Sequence, residues 1–162
     1  TINIYPDSRT LAEIAVQTAK VARRFGVKPK VAMLSFSNFG TSPELRTDRI
    51  EEAITIAREL DPDLIIDGPM QADTALVPDI QEEYPFMSFE GAANVLICPN
   101  LASANIAYKL LQRIAGAEMT GPILEGLSKP AHVLQRGDSV REVVHMAAIC
   151  AVDAQRHARQ RL

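Results

Sequence analysis

The segment that most constrains the fold is Asn94 to Arg113, NVLICPNLASANIAYKLLQR, because an apolar run stops abruptly there and a helical pattern replaces it. Val95 to Cys98 is short and continuously apolar, which is typical of a strand covered on both faces. Pro99 and Asn100 interrupt it, and apolar residues then recur at helical spacing from Ile106 to Ile114. The segment predicts a buried strand that delivers polar groups to a helix start, where open α/β sheets bind ligands.

Strand-like and helix-like segments alternate along the rest of the chain, without a low-complexity linker or a repeat of fixed period. Helices are predicted from Thr10 to Phe25, after Pro43 to about Leu60, from Leu101 to Ala115 and from Val140 to about Arg159. Strands are predicted at Val31–Phe36, Leu64–Ile66 and Val95–Cys98, with weaker candidates at Met119–Leu124 and Ala131–Leu134.

Local signals mark where two of these helices begin. Thr10 with Glu13, and Ser139 with Glu142, have the spacing of capping boxes, in which each side chain bonds the other residue's backbone N–H. Gly26 is expected to end the first helix, and Gly116 is expected to end the helix that begins at Leu101.

The alternation predicts a three-layer α/β domain over residues 1–162, with a mostly parallel sheet and helices on both faces. Parallel strands end at one edge of their sheet, so that edge is expected to carry most of the unusual polar chemistry. The residues in or just after the strand ends are Ser35, Ser37, Asn38, Asp67, Gln71, Asp73, Pro99 and Asn100.

Two interpretations of these polar residues stay open. The loop from Ser35 to Ser42, SFSNFGTS, offers hydroxyls, an amide and a glycine suited to an anion at a helix start, or it supplies only caps and turns. Arg136 precedes the last helix and either adds a charged contact to such an anion or lies solvated in a loop. No phosphate-loop or GxGxxG motif occurs.

Metal binding is not expected from the pattern of possible ligands. No HExxH motif or zinc-type Cys and His spacing is present. Asp67, followed by Gly68 and Pro69, is interpreted as an Asx-turn residue, and Asp73 as a helix cap.

Composition and charge exclude other classes of function. The net charge is −3, and the basic residues form no stripe with aromatics, so nucleic acid is not an expected partner. No segment has the roughly 18 uncharged apolar residues of a membrane span, and residues 1–8 do not resemble a signal peptide. Cys98 and Cys150 fit reduced structural cysteines, so a cytoplasmic globular domain is expected.

Four blocks of sequence resemble, in order and spacing, the phosphate acetyltransferase and butyryltransferase family. They are VAMLSFSNFGTS at Val31–Ser42, DGPMQADTALVP at Asp67–Pro78, ANVLICPNLASANIAYKLLQRIAGAE at Ala93–Glu118 and GPILEGLSKPAHVLQRGDSV at Gly121–Val140. Within that family, SNFG at Ser37–Gly40, QADTALVP at Gln71–Pro78, YPF at Tyr84–Phe86 and VDAQ at Val152–Gln155 look most like the C-terminal domain of bacterial NADP-dependent malic enzymes.

The resemblance implies the fold of the second subdomain of phosphate acetyltransferases and an acyl-coenzyme A or phosphate pocket. The residues it assigns to that pocket are Ser35, Ser37, Asn38, Thr41, Pro99, Asn100, Arg136 and Gly137. Active transferases typically have Ser-Arg-Gly where this chain has Gln135-Arg136-Gly137, and a proposed aspartate base where it has Glu142. The transferase positions Gln135, Arg136 and Glu142 are therefore interpreted as degenerate, and no catalytic residue is expected in this chain.

The leading hypothesis is a regulatory, acetyl-coenzyme A-sensing and dimerising domain of a malic enzyme, and the start at Thr1 fits a C-terminal piece of such a chain. Acetyl-coenzyme A is the expected effector, no cofactor is expected to be bound covalently, and NADP and a divalent metal belong to the N-terminal catalytic domains. Two alternatives are an active phosphate acetyltransferase domain and a module that serves only assembly.

Overall fold

The structure, a computed structural model, describes residues 2–40 and 48–159 of the chain. They form two compact units that divide between Ile106 and Ala107, here called unit 1 and unit 2. The elements in chain order are α1 (Ser8–Arg24), β1 (Lys30–Leu34), α2 (Asp48–Leu60), β2 (Ile65–Met70), α3 (Ala72–Leu76), α4 (Pro78–Gln81), β3 (Val95–Ile97), α5 (Leu101–Ile114) and α6 (Val140–Arg159).

Unit 1 is built on a parallel sheet in the strand order β2-β1-β3. Val31 of the central strand is in register with Ile66 on one side and Val95 on the other. Connections between parallel strands need a crossover, which α2 supplies between β1 and β2. The α/β class with a parallel sheet is thereby confirmed.

Apolar side chains of the strands alternate between two buried clusters. Val31 and Met33 pack with α1 and α2, whose apolar faces fill that side of the sheet. Ala32 and Met70 point to the other cluster, which contains Ala75 of α3 and residues of the segment before β3. Both faces of the central strand are consequently buried, which is why it is continuously apolar.

The predicted turn at Asp67, Gly68 and Pro69 is wrong, because β2 runs through it to Met70. The register of the β1–β2 pairing shifts between Ala32 and Leu34, and this shift accommodates the continuation of β2. Gly68 has a φ of +132°, and a Cβ added there would lie 2.6 Å from the Met33 carbonyl oxygen. Glycine is therefore required where β2 passes the central strand.

Helix α1 is confirmed, but its predicted start at Thr10 is wrong. The helix begins at Ser8, and the N-cap is Asp7, whose Oδ1 accepts the Thr10 N–H at 2.8 Å. The side-chain and backbone hydrogen bonds with Thr10 lower the pKa of the Asp7 carboxyl. The Asp7 carboxylate, three residues before Thr10, accepts the Thr10 N–H, so the helix cap lies upstream of the predicted one.

Two expectations about strands are also wrong. β3 is not covered on both faces, because Leu96 is 38% exposed. The segments 119–124 and 131–134 are irregular rather than strands, since the prolines and glycines around them interrupt any ladder. Helix α5 is confirmed, and none of its residues is buried.

Residues 41–47 precede α2 and lie outside the described structure, so the predicted helix start after Pro43 stays a prediction. Among the helices of residues 2–40 and 48–159, none combines the length and hydropathy that crossing a bilayer requires.

Replacing Gly68 with alanine should destabilise unit 1 by more than about 2 kcal/mol, because the new Cβ would clash with the backbone in a φ region reserved for glycine. Gly26→Ala is the matched control, since Gly26 has a φ of +77° but no atom within 4 Å of the added Cβ. The control should lose only about 1–2 kcal/mol. Urea unfolding of both variants measures the difference, and equal losses would contradict the steric explanation.

Candidate functional site

The loop after β1 is tied to the end of β2 by backbone and amide hydrogen bonds. The Ser35 N–H donates to the Met70 carbonyl at 2.7 Å, and the Gln71 N–H donates to Asn38 Oδ1 at 2.7 Å. The Asn38 Nδ2 in turn donates to the Tyr84 hydroxyl at 3.0 Å. The Asn38 amide thus links the loop after β1 to the end of β2 through its oxygen and to Tyr84, after α4, through its nitrogen.

Ser37 differs from its neighbours because it is 5% exposed and its Oγ has no hydrogen-bond partner among residues 2–40 and 48–159. Thr41, the next expected pocket residue, lies outside the described residues. Ser35, Ser37 and Asn38 therefore share one strand-end loop, as expected, and only their role as ligand groups stays a prediction.

The turn at Pro99 and Asn100 is built as a helix cap. Asn100 Oδ1 accepts the Ser103 N–H at 2.9 Å, so its side chain caps α5. Arg49 holds the same turn from α2, donating to the Pro99 carbonyl at 3.0 Å and to the Pro6 carbonyl at 2.8 Å. Sequence reasoning missed Arg49, because nothing local links it to residues 50 positions away.

The two aspartates near the end of β2 also have structural partners. Asp67 Oδ2 accepts the N–H and Oγ–H of Ser88, both at 2.6 Å, and its Oδ1 accepts the Gly68 N–H at 2.9 Å. Asp73 lies inside α3, where Gln71 is the N-cap, so its expected capping role is wrong. The described residues contain no group of three or more His, Cys, Asp or Glu side chains arranged to hold a metal ion.

Unit 2 contains a cavity of about 260 Å³, here called the unit 2 pocket. The predicted residues Arg136 and Gly137 line it, together with the degenerate positions Gln135 and Glu142. The other lining residues are Tyr108, Lys109, Gln112, Arg113, Met119, Gly121, Asp138 and Met146. A cavity of this size holds one end of a large ligand, since sites for whole drug-sized molecules measure about 300–1,000 Å³.

A tight turn presents Arg136 to this pocket. The Asp138 N–H donates to the Gln135 carbonyl at 3.2 Å, and Asp138 Oδ2 accepts the Gln135 N–H at 2.7 Å. Gly137 has a φ of +91°, a conformation that glycine adopts without strain. The turn leads directly into Ser139, the cap of α6.

Ser139 and Glu142 form the predicted capping box. The Glu142 N–H donates to Ser139 Oγ at 3.3 Å, and the Ser139 N–H donates to Glu142 Oε2 at 2.6 Å. The backbone and side-chain hydrogen bonds with Ser139 lower the pKa of the Glu142 carboxyl, and Arg113 adds a smaller electrostatic contribution in the same direction. Glu142 is accordingly an ionised capping group.

The cationic side chains of the pocket make fewer hydrogen bonds and ion pairs within the protein than its carboxylates do. In the part of the chain that the structure describes, the Arg113 and Arg136 guanidinium groups have no hydrogen-bonded or ion-paired partner. Lys109 Nζ lies 5.0 Å from the centroid of the Tyr108 ring, whose hydroxyl is 3.4 Å from Gln135 Oε1. The pocket therefore presents cationic donors to an anionic group of a ligand.

Sequence reasoning missed Tyr108, Lys109 and Arg113 as pocket residues. The available signal was the spacing of Lys109 and Arg113, four residues apart on one face of α5. The apolar residues that recur along the same helix, by contrast, are exposed in the structure.

Comparison with known proteins gives consistent relatives. The model of the family described as phosphate acetyl/butaryl transferase matches residues 1–151. An NADP-dependent malic enzyme of Salmonella typhimurium is 47% identical over 95% of this chain, and a phosphate acetyltransferase of Bacillus subtilis is 44% identical over 94%. This chain spans 21% of the first relative and 48% of the second.

A solved structure supports the same relationship at the level of the fold. A phosphotransacetylase from Streptococcus pyogenes superposes with a TM-score of 0.90 and 43% identity. The match covers 96% of this chain and 48% of that structure.

Disrupting the capping box should lower stability in a pH-dependent way. Ser139→Ala should cost about 1 kcal/mol, because it leaves a helix N–H without its acceptor. Since the folded pKa of Glu142 is depressed, its contribution is fully present above the unfolded pKa and is lost as pH falls through the folded pKa. The stability difference between the wild type and Glu142→Gln should therefore shrink below the ordinary carboxyl pKa of about 4.3.

Urea unfolding between neutral and acidic pH measures this difference. Glu118→Gln is the control, because Glu118 is 76% exposed and pairs with Arg141 at the surface. A Glu142 difference that stays constant through the acid range would contradict the capping role.

Proposed function

This chain belongs to the phosphate acetyl/butaryl transferase family, and on that basis we propose that its unit 2 pocket binds acyl-coenzyme A as an effector. The cationic groups of Lys109, Arg113 and Arg136 support an anionic ligand, and guanidinium groups suit phosphate through paired N–H donors. Coenzyme A carries phosphate groups at one end and the acyl thioester at the other. A pocket of about 260 Å³ would hold one end of it.

The observation that carries an effector role, as opposed to catalysis, is the state of Glu142. A general base works best when its pKa lies near the operating pH, whereas the pKa of Glu142 is lowered and its Oε2 accepts a backbone N–H. Gln135 stands where the family resemblance implies a serine that would stabilise developing charge. Loss of one such donor costs on the order of 10² to 10³ in rate.

We further propose that the chain acts as the C-terminal regulatory domain of a cytoplasmic NADP-dependent malic enzyme. The similarity to the malic enzyme of Salmonella typhimurium supports this proposal. The redox chemistry, with NADP and a divalent metal, would then belong to catalytic domains outside these 162 residues. Acetyl-coenzyme A would signal abundant carbon and inhibit malate oxidation through a coupling free energy of about 1–3 kcal/mol.

Assembly into a dimer or larger homo-oligomer is part of the same proposal. Ile114 of α5 is 80% exposed, and Val140 and Val144 of α6 are 82% and 58% exposed. Contiguous apolar side chains on a surface mark sites where proteins associate. These exposed positions support a subunit interface that includes both helices.

Replacing Arg136 with alanine should weaken acetyl-coenzyme A binding at least about tenfold, the factor expected when a charge-assisted contact to phosphate is lost. Arg113→Ala should have a similar effect, because its guanidinium group lines the same pocket. Isothermal titration calorimetry on this chain measures both affinities. The control is Arg141→Ala, whose guanidinium group pairs with Glu118 outside the pocket.

In the full-length malic enzyme, Arg136→Ala should relieve inhibition by acetyl-coenzyme A while leaving malate oxidation without effector unchanged. Unchanged inhibition would count against the effector site. The same full-length protein should form no acetyl-coenzyme A from acetyl phosphate and coenzyme A, and robust formation would favour an active transferase instead.

Replacing Ile114 and Val144 with aspartate should convert an oligomer to monomers, since charges buried without partners oppose association. Sedimentation velocity of the full-length protein measures the change. Leu60→Asp is the control, because Leu60 is 43% exposed on α2 and belongs to neither α5 nor α6. A sedimentation coefficient unaffected by the two aspartates would rule out this interface.

A further inference from the structure

Unit 2 buries a pair of titratable side chains that the unit 2 pocket does not use. His132 Nε2 lies 3.1 Å from Asp153 Oδ2, and the two side chains are 4% and 9% exposed. Neither residue lines the pocket. Burying polar groups costs free energy unless they are hydrogen-bonded. The hydrogen-bond partners of His132 and Asp153 therefore indicate the role of the pair.

The hydrogen bonds assign the tautomer of His132. The Leu124 N–H donates to His132 Nδ1 at 3.2 Å, so this nitrogen must be an acceptor. The ring proton therefore lies on Nε2, which donates to the Asp153 carboxylate.

This pair connects three parts of unit 2. Leu124 belongs to the irregular segment after Gly121, His132 precedes the pocket turn at 135–138, and Asp153 lies on α6. The bond between His132 and Asp153 closes a loop of the chain that contains the whole turn and the capping box. Among residues 2–40 and 48–159 the segment 131–134 has no strand partner, so these side-chain bonds hold it in place of a backbone ladder.

We propose that the His132–Asp153 pair is a positioning pair, which holds the turn that presents Gln135 and Arg136 to the ligand. A binding group must be held to within about 0.5 Å of its productive position, and support from surrounding hydrogen bonds achieves this. Without the pair, the turn would have to be ordered on binding, at a cost in affinity. The identity of the ligand rests on the proposed function, whereas the positioning of the turn does not.

Two conservative variants separate the two bonds of the ring. His132→Gln keeps an amide N–H near the Nε2 position and so retains the bond to Asp153. His132→Asn keeps an amide oxygen near the Nδ1 position and retains only the bond to Leu124. His132→Ala removes both.

Titration calorimetry of this chain with acetyl-coenzyme A should give dissociation constants about tenfold higher for His132→Ala and His132→Asn, a loss equal to the smallest one typical of metal sites whose ligands lose a supporting partner. His132→Gln should stay within about threefold of the wild type, because the link from the turn to α6 persists. Equal weakening by the glutamine and alanine variants would overturn the role of the Asp153 bond.

Two controls separate positioning from loss of folded protein. Val152→Ala changes the exposed neighbour of Asp153 and should bind as the wild type does. Sucrose favours the compact state, so repeating the His132→Ala titration in sucrose restores any unfolded fraction. An affinity that returns fully to the wild-type value in sucrose would overturn positioning in favour of a role in stability alone.

A second measurement does not depend on the ligand. The Gln135 N–H donates to Asp138 Oδ2 at 2.7 Å, so its hydrogen exchange reports whether the turn is held. Exchange at this amide should accelerate in His132→Ala and stay slow in His132→Gln. Unchanged exchange in the alanine variant would overturn the proposal even if affinity fell.

The two measurements also separate failure of the proposed function from failure of this inference. A wild-type chain without acetyl-coenzyme A binding, but with the expected exchange pattern, would reject the ligand and support the positioning pair. Binding by the wild type, with equal affinity and equal exchange in all His132 variants, would support the ligand and reject the positioning pair.

Discussion

Backbone N–H and C=O groups left over at the ends of strands and helices must find partners, and this requirement decides what several polar side chains of the described residues do. Asp7 caps α1, Asn100 caps α5 and Ser139 caps α6. Asn38 accepts a backbone N–H at the end of β2. These side chains resemble ligand-binding groups in the sequence, but in the structure they make hydrogen bonds within the protein.

The use of side chains as hydrogen-bond partners within the fold explains which charges the unit 2 pocket offers to a ligand. Asp138 and Glu142 are its carboxylates, and each accepts a backbone N–H that shapes the turn or the helix start. The cations of the pocket carry no comparable structural task in the described residues, so the pocket is directed toward anions. A carboxylate that serves as a cap has a lowered pKa and makes a poor base, which is the physical basis of the effector role proposed for this pocket.

Local signals predicted much of the fold. The alternation of apolar runs with helical patterns predicted the parallel α/β unit, and the capping box at Ser139 and Glu142 was correct because it depends on residues three apart. The same approach was wrong at Asp67 to Pro69, where β2 continues past a sequence typical of turns. There the close approach of Gly68 to the central strand outweighs local turn preference, and that contact is not visible along the chain.

The sequence by itself determined the order of the three strands and the four long helices, the capping box at Ser139 and Glu142, the candidate residues Arg136 and Gly137, and the family resemblance, because each depends on neighbours in the chain or on the order of long blocks. Tertiary structure alone decided that Arg113 joins Arg136 in one pocket and that His132 meets Asp153. It also decided that the apolar face of α5 stays exposed within this chain. The physical reason is that side-chain packing brings together residues that are distant in sequence, and no periodicity or local spacing records which of them will meet.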